Sequence, residues 1–268
     1  MRIATSTNLI SFNRDGSKTE MVHLLPLYAK EGFQVLDLNL CEMLNPQASL
    51  AGENWKEYVQ LLGNLKYQHT LIFNQAHAPY SRSGEIPEEM LRRSLEICHL
   101  LSIPILVVHP IRGTVEENHT AYRPYLTLAE EYHVILAFEN LNEDGELTEI
   151  SDLIGLVEGF ASPYAGICYD TGHAHMCGHD LPKDIMLMGN RLVATHVADN
   201  KGKSDEHLLP FYGTIDWDAV LAALGKITYQ GDLTYECMFF NQHLPLQLKV
   251  QAIRQAKRIG DFLLSRVP

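Results

Sequence analysis

The chain has 268 residues, of which 46% are hydrophobic and 20% are charged, and its formal net charge is −12. This apolar content is enough for a full core, which excludes a disordered chain and a small disulfide-dependent scaffold. The acidic balance argues against a general nucleic-acid or anionic-membrane surface. The five scattered cysteines lack CxxC spacing, and no signal-peptide pattern or long apolar run is seen. We therefore expect a cytoplasmic protein with reduced thiols.

Short apolar runs rich in β-branched residues recur along the whole chain. Their near-continuous apolar character is typical of parallel strands that are covered on both faces. The predicted strands are 2–6, 33–39, 70–75, 105–109, 134–139, 166–170, 192–196 and 233–237.

Stretches with a 3.6-residue apolar period lie between most of these strands. The predicted helices are 55–65, 87–101, 117–132, 148–160, 184–188, 217–224 and 246–265. Alternating strands and helices indicate parallel crossover units. Eight such units in a chain of this length predict an α/β fold, a single closed (β/α)8 TIM barrel. Because composition does not shift along the chain, residues 1–268 are interpreted as one domain.

Six consecutive predicted strands end in, or lead directly to, a histidine or a carboxylate. These residues are His77, His109, Glu139, Asp170, His196 and Glu236. One of them alone would be an ordinary capping or ion-paired group, so the signal is the set of six. They are spaced by roughly 30 residues, the length of one βα unit, and so fall at the C-terminal rim, where barrel active sites are built.

So many titratable groups at one rim predict a divalent cation, because buried charges without partners are costly. We expect Glu139, Asp170, His196 and Glu236 to be its ligands. A mixed set of nitrogen and oxygen donors suits Mn²⁺, Zn²⁺, Co²⁺ or Fe²⁺ better than Ca²⁺. The candidate cofactor is therefore a divalent metal such as manganese, zinc or cobalt.

Two loops add possible ligands. His173 follows Asp170 by three residues and can turn back toward the rim. Asp205 and His207 have one residue between them, so both side chains can lie on one side of their loop. The alternative for this second pair is a solvated polar loop.

The motifs around these residues resemble a known family over essentially the whole length. The most specific motifs are HAPY from His77, VVHP around His109, FEN around Glu139, ICYDTGHA around Asp170, and HVADNKGKSDEH from His196. In these motifs the chain resembles the xylose isomerase-like TIM-barrel superfamily, particularly its sugar phosphate isomerase/epimerase branch. The resemblance implies one metal site formed by Glu139, Asp170, His196 and Glu236, with His173 beside the substrate.

Endonuclease IV, a repair enzyme for abasic sites in DNA, is similar at still more positions. Gly172 stands where that family typically has cysteine, and Asn200 departs from its strand-seven loop. Its trinuclear zinc cluster would correspond here to His77, His109 and Glu139, to Asp170, His196 and Glu236, and to His173, Asp205 and His207. One to three ions are therefore compatible with the sequence.

We interpret the chain as a metal-dependent sugar (or sugar phosphate) isomerase or epimerase. Glu139 and Glu236 would be the catalytic acid and base, one removing a proton to give an enediolate and the other returning it. A dehydratase or lyase acting on a sugar-derived keto acid uses related chemistry, and a barrel that binds without turnover would keep the same residues. The predicted substrate-binding residues are His77, His109, His173 and Lys201.

Charges on the predicted rim loops favour a sugar over DNA. DNA binding needs several phosphate contacts, and these loops offer only Arg82, Arg112, Lys201 and Lys203. The acidic residues around them are Glu85, Glu116, Glu117, Glu143, Asp144, Asp205 and Glu206. We expect a small-molecule sugar partner, with neither nucleic acid nor membrane. Barrels of this branch commonly form homo-oligomers, so the same is expected here.

Overall fold

The structure is a computed structural model that describes residues 1–80, 87–142, 147 and 149–267. Eight strands form one parallel sheet in the order β7-β6-β5-β4-β3-β2-β1-β8, with the bounds given next. They are β1 Ile3–Ser6, β2 Val35–Asn39, β3 Ile72–His77, β4 Ile105–Val108, β5 Ile135–Glu139, β6 Ala165–Asp170, β7 Leu192–His196 and β8 Leu233–Tyr235.

The two ends of this sheet, β7 and β8, meet and close the barrel. Val197 forms a parallel bridge with Tyr235. Its N–H donates to the carbonyl of Thr234 at 2.7 Å, and its own carbonyl accepts from the N–H of Glu236 at 3.2 Å. The predicted (β/α)8 barrel is therefore confirmed. The predicted strand ends are off by two residues in β3, which continues to His77, and in β8, which stops at Tyr235.

Helices surround the barrel and follow the strands in the chain. Their bounds are α1 Met21–Lys30, α2 Trp55–Gln68, α3 Glu88–Leu101, α4 Val115–Tyr132, α5 Ile150–Phe160, α6 Thr171–Met176, α7 Leu181–Met188, α8 Trp217–Lys226 and α9 Leu246–Arg266. Residue 148, the predicted start of the helix that corresponds to α5, lies outside the described residues. Among the described residues, no helix has the length and apolarity needed to cross a membrane.

Small side chains fill the barrel interior beneath the C-terminal rim. Val107, Ala137, Cys168 and Ala194, on four neighbouring strands, form a cluster that is separate from the larger core between strands and helices. Successive residues of a strand point to opposite faces, so a residue two positions further along points inward as well. The residues two positions beyond these four are His109, Glu139, Asp170 and His196. The pleat of the strands thus aims these polar side chains at the barrel axis.

Candidate metal centre

Four buried side chains meet at the centre of the C-terminal rim. One ligand atom from each of Glu139, Asp170, His196 and Glu236 lies within 4.8 Å of the others. Nδ1 of His196 is 2.8 Å from Oε1 of Glu139 and 3.6 Å from Oε2 of Glu236. These four residues were predicted as ligands from the sequence, and we call them the central group.

A second group shares Glu139 with the central group. Nε2 of His77 and Nε2 of His109 each lie 3.2 Å from Oε2 of Glu139, and 3.2 Å from one another. One carboxylate oxygen of Glu139 therefore faces these two histidines, while the other faces His196. The carboxylate is placed to bridge two neighbouring positions.

The third group comes from helix α6 and from the loop after β7. Oδ2 of Asp205 lies 2.9 Å from Nε2 of His207 and 3.4 Å from Nε2 of His173. The amide of Asn142 donates a hydrogen bond to the same oxygen at 3.1 Å. All nine residues suggested as ligands by the sequence thus fall into three adjoining groups.

Hydrogen bonds to backbone carbonyls set the tautomers of three of the histidines. Nδ1 of His77 lies 2.8 Å from the carbonyl of Ala78, and Nδ1 of His207 lies 2.9 Å from the carbonyl of Glu236. Nδ1 of His173 makes the same contact with Asn140 at 2.9 Å. Because a carbonyl only accepts, Nδ1 donates, and in the neutral imidazole the Nε2 lone pair faces the site. Histidines that bind metals characteristically have this second contact.

Asp37 is a fully buried carboxylate behind His196 that sequence reasoning missed. Oδ2 of Asp37 lies 3.6 Å from Nε2 of His196, on the side of the ring opposite the central group. Among the described residues neither oxygen of Asp37 has a hydrogen-bond partner. The available signal is one carboxylate within the apolar strand β2, away from the strand ends that carry the predicted ligands.

The carboxylates and histidines of the site shift one another's pKa values. Burial alone would raise the pKa of Glu139, yet the pKa lies well below its usual range because positive charge on His196 and hydrogen bonds from the surrounding histidines favour the carboxylate. Burial and the negative charges of Glu139 and Glu236 raise the pKa of Asp170 to about 6, although His173 opposes this shift. The site thus concentrates carboxylate charges, and the surrounding imidazoles stabilise them.

The donor set fits a divalent transition metal. Oδ2 of Asp170 and Oδ1 of Asp205 are buried and have no hydrogen-bond partner among the described residues. Buried polar atoms in native proteins are nearly always satisfied, so these two oxygens, in adjoining groups, are candidate contacts for a cation. Imidazole nitrogens with carboxylate oxygens suit zinc, manganese or cobalt, as the sequence predicted.

A cavity of about 1090 Å³ opens above these groups. Its inner end is lined by His77, His109, Glu139, His173, Asp205, His207 and Glu236. Its outer part extends along the loops after β1 and β2, to Lys18, Glu20, Glu42, Asn45 and Gln47. The side chains that line this cavity can therefore contact a bound molecule well beyond the donor groups.

Lys201, predicted to bind substrate, is not among the described residues that line this cavity. Its side chain is 62% exposed, and Nζ lies 3.5 Å from Oε1 of Glu206. Arg112 does line the cavity. Four further rim residues from the sequence argument, at positions 82, 85, 143 and 144, lie outside the described residues.

Residues 27–256 match the family model for a xylose isomerase-like TIM barrel. The chain belongs to this family. A probable endonuclease 4 of Halorhodospira halophila is 28% identical over 160 residues, which are 50% of this chain and 54% of that protein. This relative accounts for the second resemblance noted in the sequence.

Solved structures share the fold over the whole chain. A D-tagatose 3-epimerase-like protein superposes with a TM-score of 0.75 at 21% identity, covering 100% of both chains. A D-psicose 3-epimerase from Clostridium cellulolyticum H10 gives a TM-score of 0.80 at 14% identity, covering 98% of this chain and 99% of that one. At these identities the likeness establishes the fold of this xylose isomerase-like barrel, whereas its activity must be argued from its side chains.

Proposed function

We propose that the protein is a metal-dependent isomerase or epimerase of a sugar or sugar phosphate. The observation that carries this proposal is the convergence of Glu139 and Glu236 on one nitrogen, Nδ1 of His196, at 2.8 and 3.6 Å, at the inner end of the cavity. Sugar epimerases among the solved structures of the same fold support the same class of reaction. A cytoplasmic location and a homo-oligomeric state remain predictions.

The two glutamates would move the proton. One carboxylate removes a proton from the carbon next to the substrate carbonyl, which gives an enediolate, and the other carboxylate returns a proton to that carbon or its neighbour. A divalent ion held by the central group would supply Lewis-acid polarisation of the carbonyl and hydroxyl oxygens. Among the described residues only Oε2 of Glu236 faces histidine nitrogens, so its Oε1 could act as the base while Oε2 holds the ion.

Histidines at the inner end would orient the sugar. His109 and His173 line the cavity beside Glu139, and Tyr80 stacks on the His109 ring at a centroid distance of 4.3 Å. His77 lies 3.2 Å from Glu139 and can hold that carboxylate in register with the reacting carbon. Lys201 would have to leave Glu206 to contact a substrate, so its role in binding stays a prediction.

The His173, Asp205 and His207 group favours one second candidate, zinc-dependent hydrolysis of a phosphodiester. This group adds three donors beyond those of the central group, and a probable endonuclease 4 is among the relatives. Acidic residues in the cavity oppose a nucleic-acid substrate, because only Lys18 and Arg112 stand against five carboxylates in its lining. These are Glu20, Glu42, Glu139, Asp205 and Glu236. The isomerase is therefore the better-supported candidate.

Incorporation of solvent deuterium is the decisive experiment, because it reports proton removal whatever the product. Protein loaded with Mn²⁺, Zn²⁺ or Co²⁺ is incubated in D2O with a panel of ketoses and ketose phosphates, and carbon-bound deuterium is measured by NMR. Exchange that disappears in Glu139→Gln is the expected result. The same preparations are tested on a duplex with one abasic site. Incision of the duplex without deuterium exchange into any sugar would reject the isomerase in favour of the zinc-dependent phosphodiesterase.

A further inference from the structure

Glu42 is a buried carboxyl group in the cavity that the proposed chemistry does not use. It lies in the short 3₁₀ helix Leu40–Leu44 after β2, is only 6% exposed, and lines the cavity. No hydrogen bond or ion pair joins its side chain to any described residue. Burial raises the pKa of Glu42 to about 7, with Lys18 lowering it and Glu20 raising it. This unpaired carboxyl faces the cavity, where a hydroxyl group of a bound molecule can pair with it.

The side chain of Glu42 faces away from the donor groups. Sγ of Cys41, the preceding residue, lies 3.5 Å from Nδ1 of His77. Successive side chains of a 3₁₀ helix diverge by about 120°, so Glu42 faces another part of the cavity. Its charged neighbours there are Lys18 and Glu20. We call the part of the cavity lined by Lys18, Glu20, Glu42, Asn45 and Gln47 the outer pocket.

Two aromatic rings connect the donor groups with the outer pocket. The Phe239 ring lies 6.0 Å from the ring of His207, and the Phe12 ring lies 4.7 Å from that of Phe239. Nζ of Lys18 lies over the Phe12 ring at 4.5 Å. The buried ammonium of Lys249 on α9 donates to the carbonyl of Phe12, which fixes the loop that carries this ring. A carbohydrate chain presents apolar and polar surfaces in alternation. The two aromatic rings, which lie between the polar donor groups and the polar outer pocket, match that alternation.

The size of the cavity favours more than one sugar unit. Pockets that bury drug-sized ligands measure about 300–1,000 Å³. The cavity here, about 1090 Å³, lies just above that range. A free ketohexose has only about 12 non-hydrogen atoms, roughly half of a drug-sized ligand. A hexose bound at the central group would therefore leave the outer pocket to solvent.

The charges of the outer pocket select a neutral occupant. Glu20 is already engaged, since it accepts hydrogen bonds from the N–H and hydroxyl of Ser49 at 3.2 and 2.7 Å. Together with Glu42 it outweighs the single ammonium of Lys18, so a phosphate would be repelled there. Hydroxyl groups suit Glu42 in either state, because a carboxylate accepts and a carboxylic acid also donates.

We infer that the outer pocket binds a second, uncharged sugar unit through Glu42, so that the substrate is a disaccharide or other glycoside of the reacting sugar. This inference rests on the proposed function for the identity of the reacting unit. It assigns Glu42 to substrate selection, at a distance from the proton transfer.

The test compares fructose, fructose 6-phosphate, and the ketose disaccharides lactulose and isomaltulose. Solvent deuterium incorporation gives kcat/KM for each sugar with the metal-loaded wild type, Glu42→Ala and Glu42→Gln. Glu53→Gln, an exposed acidic residue outside the cavity lining, is the matched control. We expect at least one disaccharide to exceed fructose in kcat/KM by about tenfold or more, and Glu42→Ala to abolish that ratio.

Several results would overturn the inference. These are equal kcat/KM for fructose and both disaccharides, a preference for fructose 6-phosphate, or a disaccharide-to-fructose ratio that Glu42→Ala leaves unchanged. Calorimetric titration of the same sugars separates the inference from the proposed function. Disaccharide binding that depends on Glu42, without deuterium exchange from any sugar, would retain the outer pocket and reject the isomerase. If no sugar binds, both fail.

Discussion

Nε2 of His196 lies 3.6 Å from Oδ2 of Asp37, while Nδ1 of the same ring faces Glu139 at 2.8 Å. The imidazole thus stands between a candidate metal position and a buried carboxylate. Carboxylates behind ligand histidines fix the ring orientation and raise the basicity of the ligand nitrogen. This relationship makes Asp37 a positioning residue for the central group.

Replacement of Asp37 by asparagine is therefore expected to weaken metal binding about 10- to 100-fold. The metal Kd is measured by competition with a chromophoric chelator, together with the Tm of the metal-free protein. Because Asp37 has no hydrogen-bond partner among the described residues, we expect no loss of Tm in the metal-free variant. Asp184→Asn is the control, since this buried carboxylate bonds to Tyr169 and His179 instead. A metal Kd equal to that of the wild type would reject the role of Asp37.

Substitution of either candidate proton-transfer residue should stop the reaction without unfolding the barrel. Glu139→Gln and Glu236→Gln each remove a charge and a base but preserve size, and loss of a general acid or base costs about 10²- to 10⁴-fold. Deuterium incorporation gives the rate, and circular dichroism checks the fold. Glu206→Gln, on a rim carboxylate paired with Lys201, should keep the wild-type rate. Full activity in either glutamine variant would show that the proton is moved by another group.

More than one divalent ion per chain is expected at saturation. Histidines that bind metals are neutral, which leaves the negative charges of five carboxylates to be offset. These are the buried Asp37, Glu139, Asp170 and Glu236 and the half-buried Asp205. One divalent ion leaves most of that charge unbalanced. The count is made by native mass spectrometry with Zn²⁺ or Mn²⁺.

His207→Asn should reduce this count by one and spare the central group. Asparagine suits the site because the backbone of His207 has a φ of 46°, a conformation that asparagine tolerates. We expect the variant to keep measurable solvent exchange, which Glu139→Gln does not. A single ion in both wild type and variant would mean that His173, Asp205 and His207 form only a hydrogen-bonded cluster.

Glu42 should make the metal-free protein less stable as the pH rises. Its pKa is about 7 in the folded chain against 4.5 for the ordinary group, so between these values the folded state binds more protons than the unfolded state. The free energy of unfolding therefore decreases from about pH 4.5 to pH 7, by on the order of 3 kcal/mol. Lys18, Glu20 and Tyr58 are the titratable neighbours.

Urea unfolding of wild type and Glu42→Gln at pH 5 and pH 8 measures this effect. The variant lacks the titration, so its stability relative to the wild type should be greater at pH 8 than at pH 5. Glu53→Gln should show no such change, because this residue is exposed. A constant difference between wild type and Glu42→Gln would mean that the carboxyl group titrates normally.

Most of the barrel could be predicted because each inner strand is a short apolar run that ends in a polar residue. The run before Glu139 and the run before Asp170 show this pattern clearly. Helix α1 was missed because Pro26 lies inside it, and proline normally ends a helical pattern. The end of β8 was placed at Cys237 because its apolar run continues beyond the last paired residue, Tyr235.

The ligand groups could be predicted because one barrel rim collects the ends of all strands. Asp37 could not be found in this way, since it lies two residues before the end of β2 and its importance depends on which side of His196 it contacts. Glu42 was also missed, because its sequence context is that of an ordinary loop and only burial distinguishes it. Lys201 was expected to contact substrate, yet Glu206 on the same loop engages it.

The closure between β7 and β8 gives the central group a mechanical role. His196 ends β7 and Glu236 directly follows β8, so a cation held by both would fasten the seam that the Val197–Tyr235 bridge otherwise joins. A ligand that binds only the closed barrel shifts the opening equilibrium toward closure. After chelation, exchange of the amide protons along this seam should accelerate more than exchange of those between β1 and β2, which hold no residue of the central group. The ion that activates the substrate would also stabilise the closed form of the barrel.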